Sequence, residues 1–149
     1  MSKPADVVRM LRAPFFSSIL APMFVGVLIA YIITSEFYLL GAFFVLVMGL
    51  GLHGATNVYN DIYDTLQGTD KVNVHRNDFS GGSGIIVDNP DMLPKMVRLA
   101  RISLLIAFFA TICLMFVINR ALWPLLWGLY FLSAFFSKYY TAAPIKLAY

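Results

Sequence analysis

Asn57-Val58-Tyr59-Asn60-Asp61-Ile62-Tyr63-Asp64 straddles the end of a 24-residue stretch, Phe37 to Asn60, that contains no Lys, Arg, Asp or Glu. An uncharged run of that length matches a bilayer-crossing helix, which needs about 17–25 residues. Asp61 and Asp64 therefore fall where such a helix would meet water. On a helix Asn57 and Asp61 stand at i and i+4, and Asp64 three residues further on, so three oxygen-bearing side chains line one face. His53 extends that stripe one turn deeper. Carboxylates near bilayer depth are costly unless paired or bound to a cation, and they read by default as functional.

The composition around this stretch agrees with a membrane setting. Of 149 residues, 60% are hydrophobic and 13% charged, with a mean hydropathy of +0.76. Soluble domains run at about 45–50% apolar and about 25% charged. Four segments are uncharged for long enough to cross a bilayer: Phe15–Ile33, Phe37–Asn60, Ile102–Asn119 and Ala121–Ser137. The last two are short, and Asn119-Arg120 between them reads as a tight hairpin. No polar stripe accompanies the four, which argues against buried helices of a soluble protein. The expected fold is all-α, a polytopic bundle of four transmembrane helices forming one unit over 1–149, with a loop from Ile62 to Val97.

Basic residues give the expected orientation, because they collect in cytoplasmic loops. Ten of the eleven Lys and Arg residues fall on one side of the expected spans, and Arg120 alone with Glu36 falls on the other. Both termini and the long loop are thus expected in the cytoplasm, in a cytoplasmic membrane. The first apolar run is too long for a cleavable signal peptide and lacks a small-residue cleavage site. The bilayer is an expected partner; nucleic acid is not. Cys113, alone in a span, reads as a packing residue.

Asp6 to Arg12 reads as a short interfacial helix leading to Pro14. Pro22 and Pro124 fall inside expected spans, where membrane helices tolerate kinks. Gly26, Gly41, Gly49, Gly51 and Gly54 permit close helix packing, and the Gly49–Gly54 cluster would equally let backbone approach a ligand. A connection as long as Ile62–Val97 is usually functional or disordered. It contains Gly68-Thr69-Asp70-Lys71, His75-Arg76-Asn77-Asp78 and Phe79-Ser80-Gly81-Gly82-Ser83-Gly84, and six of the eight acidic residues lie between Asp61 and Asp91. The glycine run reads either as a plain turn or as an anion-binding nest of backbone N–H groups; the neighbouring acids and Arg76 favour the second.

Together these features describe a magnesium–diphosphate site at a membrane surface. Mg²⁺ takes hard oxygen ligands and is commonly held by one or two carboxylates plus substrate phosphates. Asp61 and Asp64 would supply the carboxylates and Asn57 an amide oxygen. Lys71 and Arg76 would offset the remaining phosphate charge, Arg with a bidentate fork. A lipid tail on the diphosphate would lie among spans rich in Phe, Tyr, Leu and Met, whose aromatic faces can also stabilise a nearby cation.

At this level of detail the residues resemble a known family. Asn57-x3-Asp61-x2-Asp64 with Asn60, followed by Gly68-x-Asp70, resembles the first aspartate-rich motif of the UbiA-type intramembrane prenyltransferases, and most closely the branch that prenylates 1,4-dihydroxy-2-naphthoate in menaquinone synthesis. Arg12-Ala13-Pro14 is similar to the stretch that precedes that family's first helix. Arg76 through Ser80-Gly81-Gly82-Ser83-Gly84-Ile85-Ile86 is similar to its cytosolic loop. Tyr140-Thr141-Ala142-Ala143-Pro144, with Leu147 and Tyr149, is similar to the stretch after its fourth helix. The likeness spans nearly the whole chain.

The resemblance implies transfer of a polyprenyl group from a polyprenyl diphosphate to an aromatic acceptor, with Mg²⁺ as cofactor. It implies that Asp61 and Asp64 are the catalytic, metal-holding pair with Asn57 alongside, and that Asp70 is a further metal or substrate contact. It places Asn60 in the motif, Arg12 with Lys71 and Arg76 on the diphosphate, and Tyr140 near the acceptor. Such enzymes have about eight or nine helices and a second acidic motif that places a second magnesium ion; after Asp91 this chain has no Asp or Glu. The chain is thus expected to be the N-terminal half of such an enzyme, needing a C-terminal half. Other acceptors (glycerol-lipid, hydroxybenzoate, haem or chlorophyll type) stay open, as do a non-catalytic membrane partner and a transporter subunit whose acids bind a cation.

The orientation is testable directly. Cysteines introduced near Ser35 and Lys71 should label from opposite faces of the membrane; labelling of both from one face would contradict the expected topology.

Overall fold

The structure, a computed structural model, describes residues 4–72 and 82–148. Arg76, with Asn77, Asp78, Ser80 and Gly81 of the expected loop motifs, lies outside the described residues, as does the side chain of Lys71. Seven α-helices occur among the described residues, with no strand: α1 (Pro4–Met10), α2 (Phe16–Thr34), α3 (Leu39–Gln67), α4 (Thr69–Val72), α5 (Ile85–Asp88), α6 (Leu93–Met115) and α7 (Trp123–Tyr139). Three stretches are long and apolar enough to cross a membrane: Ala13–Thr34, Leu39–Gln67 and Pro90–Met115. The expected fourth span does form a helix, α7, but its 17 residues rise only about 25 Å, against a hydrocarbon core of about 30 Å.

Helix ends differ from the expected spans in ways that matter for the site. α3 continues past Asn60 to Gln67, so Asp61 and Asp64 are both helical, and the residues from Ile62 to Gln67 belong to the helix and not to the loop. It stops at Gly68, whose φ of +89° suits glycine and whose N–H bonds to Thr65 O at 3.1 Å. α6 begins at Leu93, which puts Lys95, Arg98 and Arg101 on its first turns. The intervening connection is 68–92, shorter than expected and partly helical. Pro22 does sit inside α2. Pro124 sits in the first turn of α7, where a missing N–H costs nothing, so it is no mid-span kink.

α3 and α6 form the central pair and run antiparallel: Gly41 faces Val117, and Gly51 faces Ser103 and Ala107. Their seam is made of small residues. A Cβ at Gly51 would stand 2.8 Å from the Ser103 carbonyl oxygen and 3.1 Å from Ala107 Cβ. On α6 the buried residues Met96, Ala100, Ser103, Ala107, Ala110, Thr111 and Leu114 recur at helical spacing on the matching face. With no hydrophobic force between helices in lipid, such close backbone approach supplies the packing.

Within the apolar region, polar side chains satisfy themselves on carbonyls, as lipid requires. Thr56 donates to Leu52 O and Thr111 to Ala107 O, at 2.9 and 2.8 Å. Tyr130 of α7 donates to Leu104 O of α6 at 3.1 Å, and Trp123 Nε1 donates to Met115 O at the end of α6 at 3.0 Å. Phe108, Trp127, Tyr130 and Phe131 add ring contacts between α6 and α7 and along α7. α2 meets α3 where Met23 lies on Gly49 and where the Phe16 ring meets His53.

An apolar cluster sits at the end of the bundle that carries Asp61. Met10 of α1 and Ile85 and Ile86 of α5 pack with Ala55, Val58, Tyr59 and Ile62 of α3 and with Met96 and Ala100 of α6. The interfacial helices are thereby anchored over the end of α3.

Gly51→Val should push α3 from α6 and destabilise the protein by about 1–3 kcal/mol, the usual cost of overpacking. Gly128→Ala, where an added Cβ meets nothing within 4 Å, should change stability by less than about 0.5 kcal/mol. Thermal unfolding in detergent compares the two.

Candidate functional site

The seam with α6 determines where Asp61 goes. Gly51, Gly54, Ala55, Val58, Asp61, Ile62 and Thr65 are all buried, because helical spacing keeps them on one side of α3. The packing that buries Gly51 thus buries Asp61 near the helix end, leaving it 1% exposed.

A buried carboxylate needs donors, and one residue supplies both. Ser83 N–H donates to Asp61 Oδ1 at 2.5 Å, and the Ser83 hydroxyl donates to Oδ2. Ser83 reaches Asp61 because Gly82 and Gly84 on either side take φ of +72° and +69°. Gly82 also lies so close to the Asp70 carboxylate that an added Cβ would overlap it. Asp70, 3% exposed, accepts from the Thr65 hydroxyl at 3.3 Å. The Gly82–Ser83 backbone is therefore wedged between two buried acids. From outside, Arg9 of α1 donates to Ser83 O at 3.0 Å; its 3.9 Å ion pair with Asp88 is exposed on both sides and adds little.

The rest of the polar stripe divides. Asn57, 9% exposed, donates from its amide to Leu11 O at 3.1 Å. His53 Nε2 lies 3.2 Å from Phe15 O, with its ring edge-on to Phe16. These two residues tether the turn between α1 and α2 instead of extending an acidic face. Asn60 donates to Asp64 one turn on. Arg12 takes a left-handed backbone, φ +52°, and its guanidinium lies over the Phe15 ring at 4.3 Å. Tyr140, 48% exposed, ends α7, and its carbonyl accepts from Ala148 N–H at 2.9 Å. Next to it Thr141 O accepts from Gln67 Nε2 at 2.7 Å, which ties the chain after α7 to the end of α3. Thr141 Oγ1 is buried with no hydrogen-bond partner among the described residues.

Asn57, Asp61 and Asp64 thus follow one another along the last turns of α3, with Asp70 just beyond. The structure does not present the glycine run as an open nest: in its described part, the Ser83 N–H serves the protein's own carboxylate. Among the described residues no group of three or more His, Cys, Asp and Glu could hold a metal. The donor chemistry nonetheless suits a hard cation, since magnesium keeps several waters and uses one or two carboxylates. Asp64 lies in the last turn of α3, where the helix carbonyls disfavour an anion and favour a cation. An ion at Asp61 would replace the two hydrogen bonds from Ser83.

Sequence reasoning passed over Ser83 as a side chain, and also Arg9, Thr65 and the Gln67–Thr141 link. The glycines flanking Ser83 were a usable signal; the other contacts join residues far apart in the chain and had none. Compared with known proteins, the chain matches no family model, no curated protein and no solved structure.

Replacing Thr141 by Val keeps its shape and removes an unpartnered buried hydroxyl. The variant should gain about 1–3 kcal/mol, read as a raised unfolding temperature, whereas Gln67→Ala should lose stability.

Proposed function

We propose that this chain forms one half of an intramembrane prenyl-transfer site. The reaction is transfer of a polyprenyl group from its diphosphate to an aromatic acceptor of the 1,4-dihydroxy-2-naphthoate type. The observation that carries the reading is Asp61, a carboxylate buried at the end of a membrane-length helix and held by a glycine-flanked serine. A buried acid at that depth is the usual mark of a functional site, and it falls in the motif that resembles the prenyltransferases.

In this reading Asp61 and Asp64, with the amide oxygen of Asn57, hold Mg²⁺, which neutralises diphosphate charge when bound. Arg12, Lys71 and Arg76 add cationic charge around the leaving group. The prenyl chain lies along the apolar helices. The allylic C–O bond breaks with both electrons going to the diphosphate oxygen. The electron-rich ring of the acceptor then bonds to the allylic carbon, and the carboxylate leaves the ring as carbon dioxide. Preorganised charge at the leaving group is commonly the largest catalytic contribution. Tyr140 stands on the acceptor side, and the site opens toward the cytoplasm.

A single acidic motif places a single cation, so this chain by itself supplies half of the charge stabilisation. Purified and in lipid, it should bind a prenyl diphosphate weakly and only with magnesium, and should transfer no prenyl group. Adding a separately expressed C-terminal half should restore transfer. In the complete assembly Asp61→Ala and Asp64→Ala should each remove most turnover, about 100-fold or more, with helicity by circular dichroism retained. Robust transfer by the 149-residue chain alone, or near-normal turnover in both variants, would overturn the reading.

A further inference from the structure

The contact between Ser83 and Asp61 has a chemical asymmetry. Ser83 presents two donors, its N–H and its hydroxyl, to the two oxygens of one buried anion. Two convergent donors of this kind stand where a cation would bind, and they would suit a phosphate oxygen as well as a carboxylate. The turn is set for that geometry by parts that do not touch Asp61. Gly82 and Gly84 supply the left-handed backbone, the Asp70 carboxylate closes against Gly82, and Arg9 holds the Ser83 carbonyl from α1.

We propose that Ser83 is an exchange residue of the diphosphate site: it satisfies Asp61 while the site is empty and donates to a diphosphate oxygen once a divalent cation has taken Asp61. This rests on the functional reading above and adds to it a substrate-binding side chain and an order of events. A cation arriving at Asp61 displaces the N–H and hydroxyl of Ser83. Those donors then lie beside the cation, where a cation-bound diphosphate presents its oxygens. Without the anion they are unpaired in a part-buried place, which costs free energy; cation and diphosphate therefore bind with positive coupling. Arg9 acts as a positioning residue, keeping the turn within reach during the exchange.

The test uses the 149-residue chain in lipid nanodiscs, with Mn²⁺ as the cation probe and inorganic pyrophosphate as the anion probe. In the unaltered protein, hydrogen exchange at the Ser83 amide should speed up with Mg²⁺ alone and slow again when pyrophosphate is added. Ser83→Ala should bind Mn²⁺ more tightly, having lost a competitor for Asp61. It should bind pyrophosphate about tenfold more weakly in the presence of Mg²⁺, as expected for one charge-assisted hydrogen bond, and Ser83→Thr should restore both. Arg9→Ala should weaken pyrophosphate binding less than Ser83→Ala does, with Arg9→Lys between Arg9→Ala and wild type. An amide unaffected by either probe, or a Ser83→Ala variant that weakens both ligands or alters neither, would overturn the exchange. Asp61→Asn separates the two levels of inference. If it abolishes Mn²⁺ binding while Ser83→Ala alters nothing, the site stands and the exchange fails. If it binds both probes as wild type does, the site itself fails, and the exchange with it.

Discussion

The close approach of α3 and α6 at Gly51 is the constraint on which the molecule depends. In lipid, apolar side chains gain nothing by leaving their surroundings, so two helices stay together through tight backbone contact and mutual satisfaction of polar groups. Gly51 against Ser103 and Ala107 provides that contact. Because a helix is rigid, the rotation of α3 that seats Gly51 also sets the direction of every residue beyond it. Val58, Asp61 and Thr65 turn inward as a consequence. Mid-membrane packing and the buried acid at the water boundary are thus one geometric decision.

Burying Asp61 creates a demand that the surrounding segments answer. A carboxylate out of water needs donors or a cation, and in this structure the donors come from Ser83. That single demand organises the interfacial cap. The glycines at 82 and 84 permit the turn, Ile85 and Ile86 follow it into the apolar cluster, and Arg9 ties α1 to it. One and two turns before Asp61, Asn57 and His53 hold the carbonyls of Leu11 and Phe15, which fixes where α2 starts. The end of α3 is therefore a junction where the short connections are fastened, and under the proposed function it is also where a charged leaving group would be received. A site built at such a junction couples ligand charge to the position of several chain segments.

Much of this was legible in the residue order, for identifiable reasons. Long uncharged runs announce membrane-length helices because a charge in hydrocarbon is costly, and three of the four expected runs became helices of that length. The fourth run also became a helix, α7, but at 17 residues it is no longer than the short uncharged run that announced it. The acid stripe was legible because helical spacing is fixed: Asn57, Asp61 and Asp64 had to share a face if the segment was helical. The span limit was placed too early: α3 runs about two turns past the end of the uncharged run at Asn60, since continued backbone hydrogen bonding costs nothing in water until Gly68 stops it. His53, one turn deeper on that face, contacts the Phe15 carbonyl.

The sequence by itself determined that this is an all-helical chain with membrane-length spans and that oxygen donors line the end of the second one. Those are properties of spacing and hydrophobicity along a single helix, which local physics controls. Only the tertiary structure decided which donors are buried, that Ser83 rather than solvent satisfies Asp61, that Asp70 closes on Gly82, and that Gln67 reaches Thr141. Each joins residues separated by up to 74 positions, and nothing in the residue types at either end specifies its partner. Those pairings follow from how α3 is rotated against α6 and from where the caps come to rest, which is a matter of packing the whole bundle.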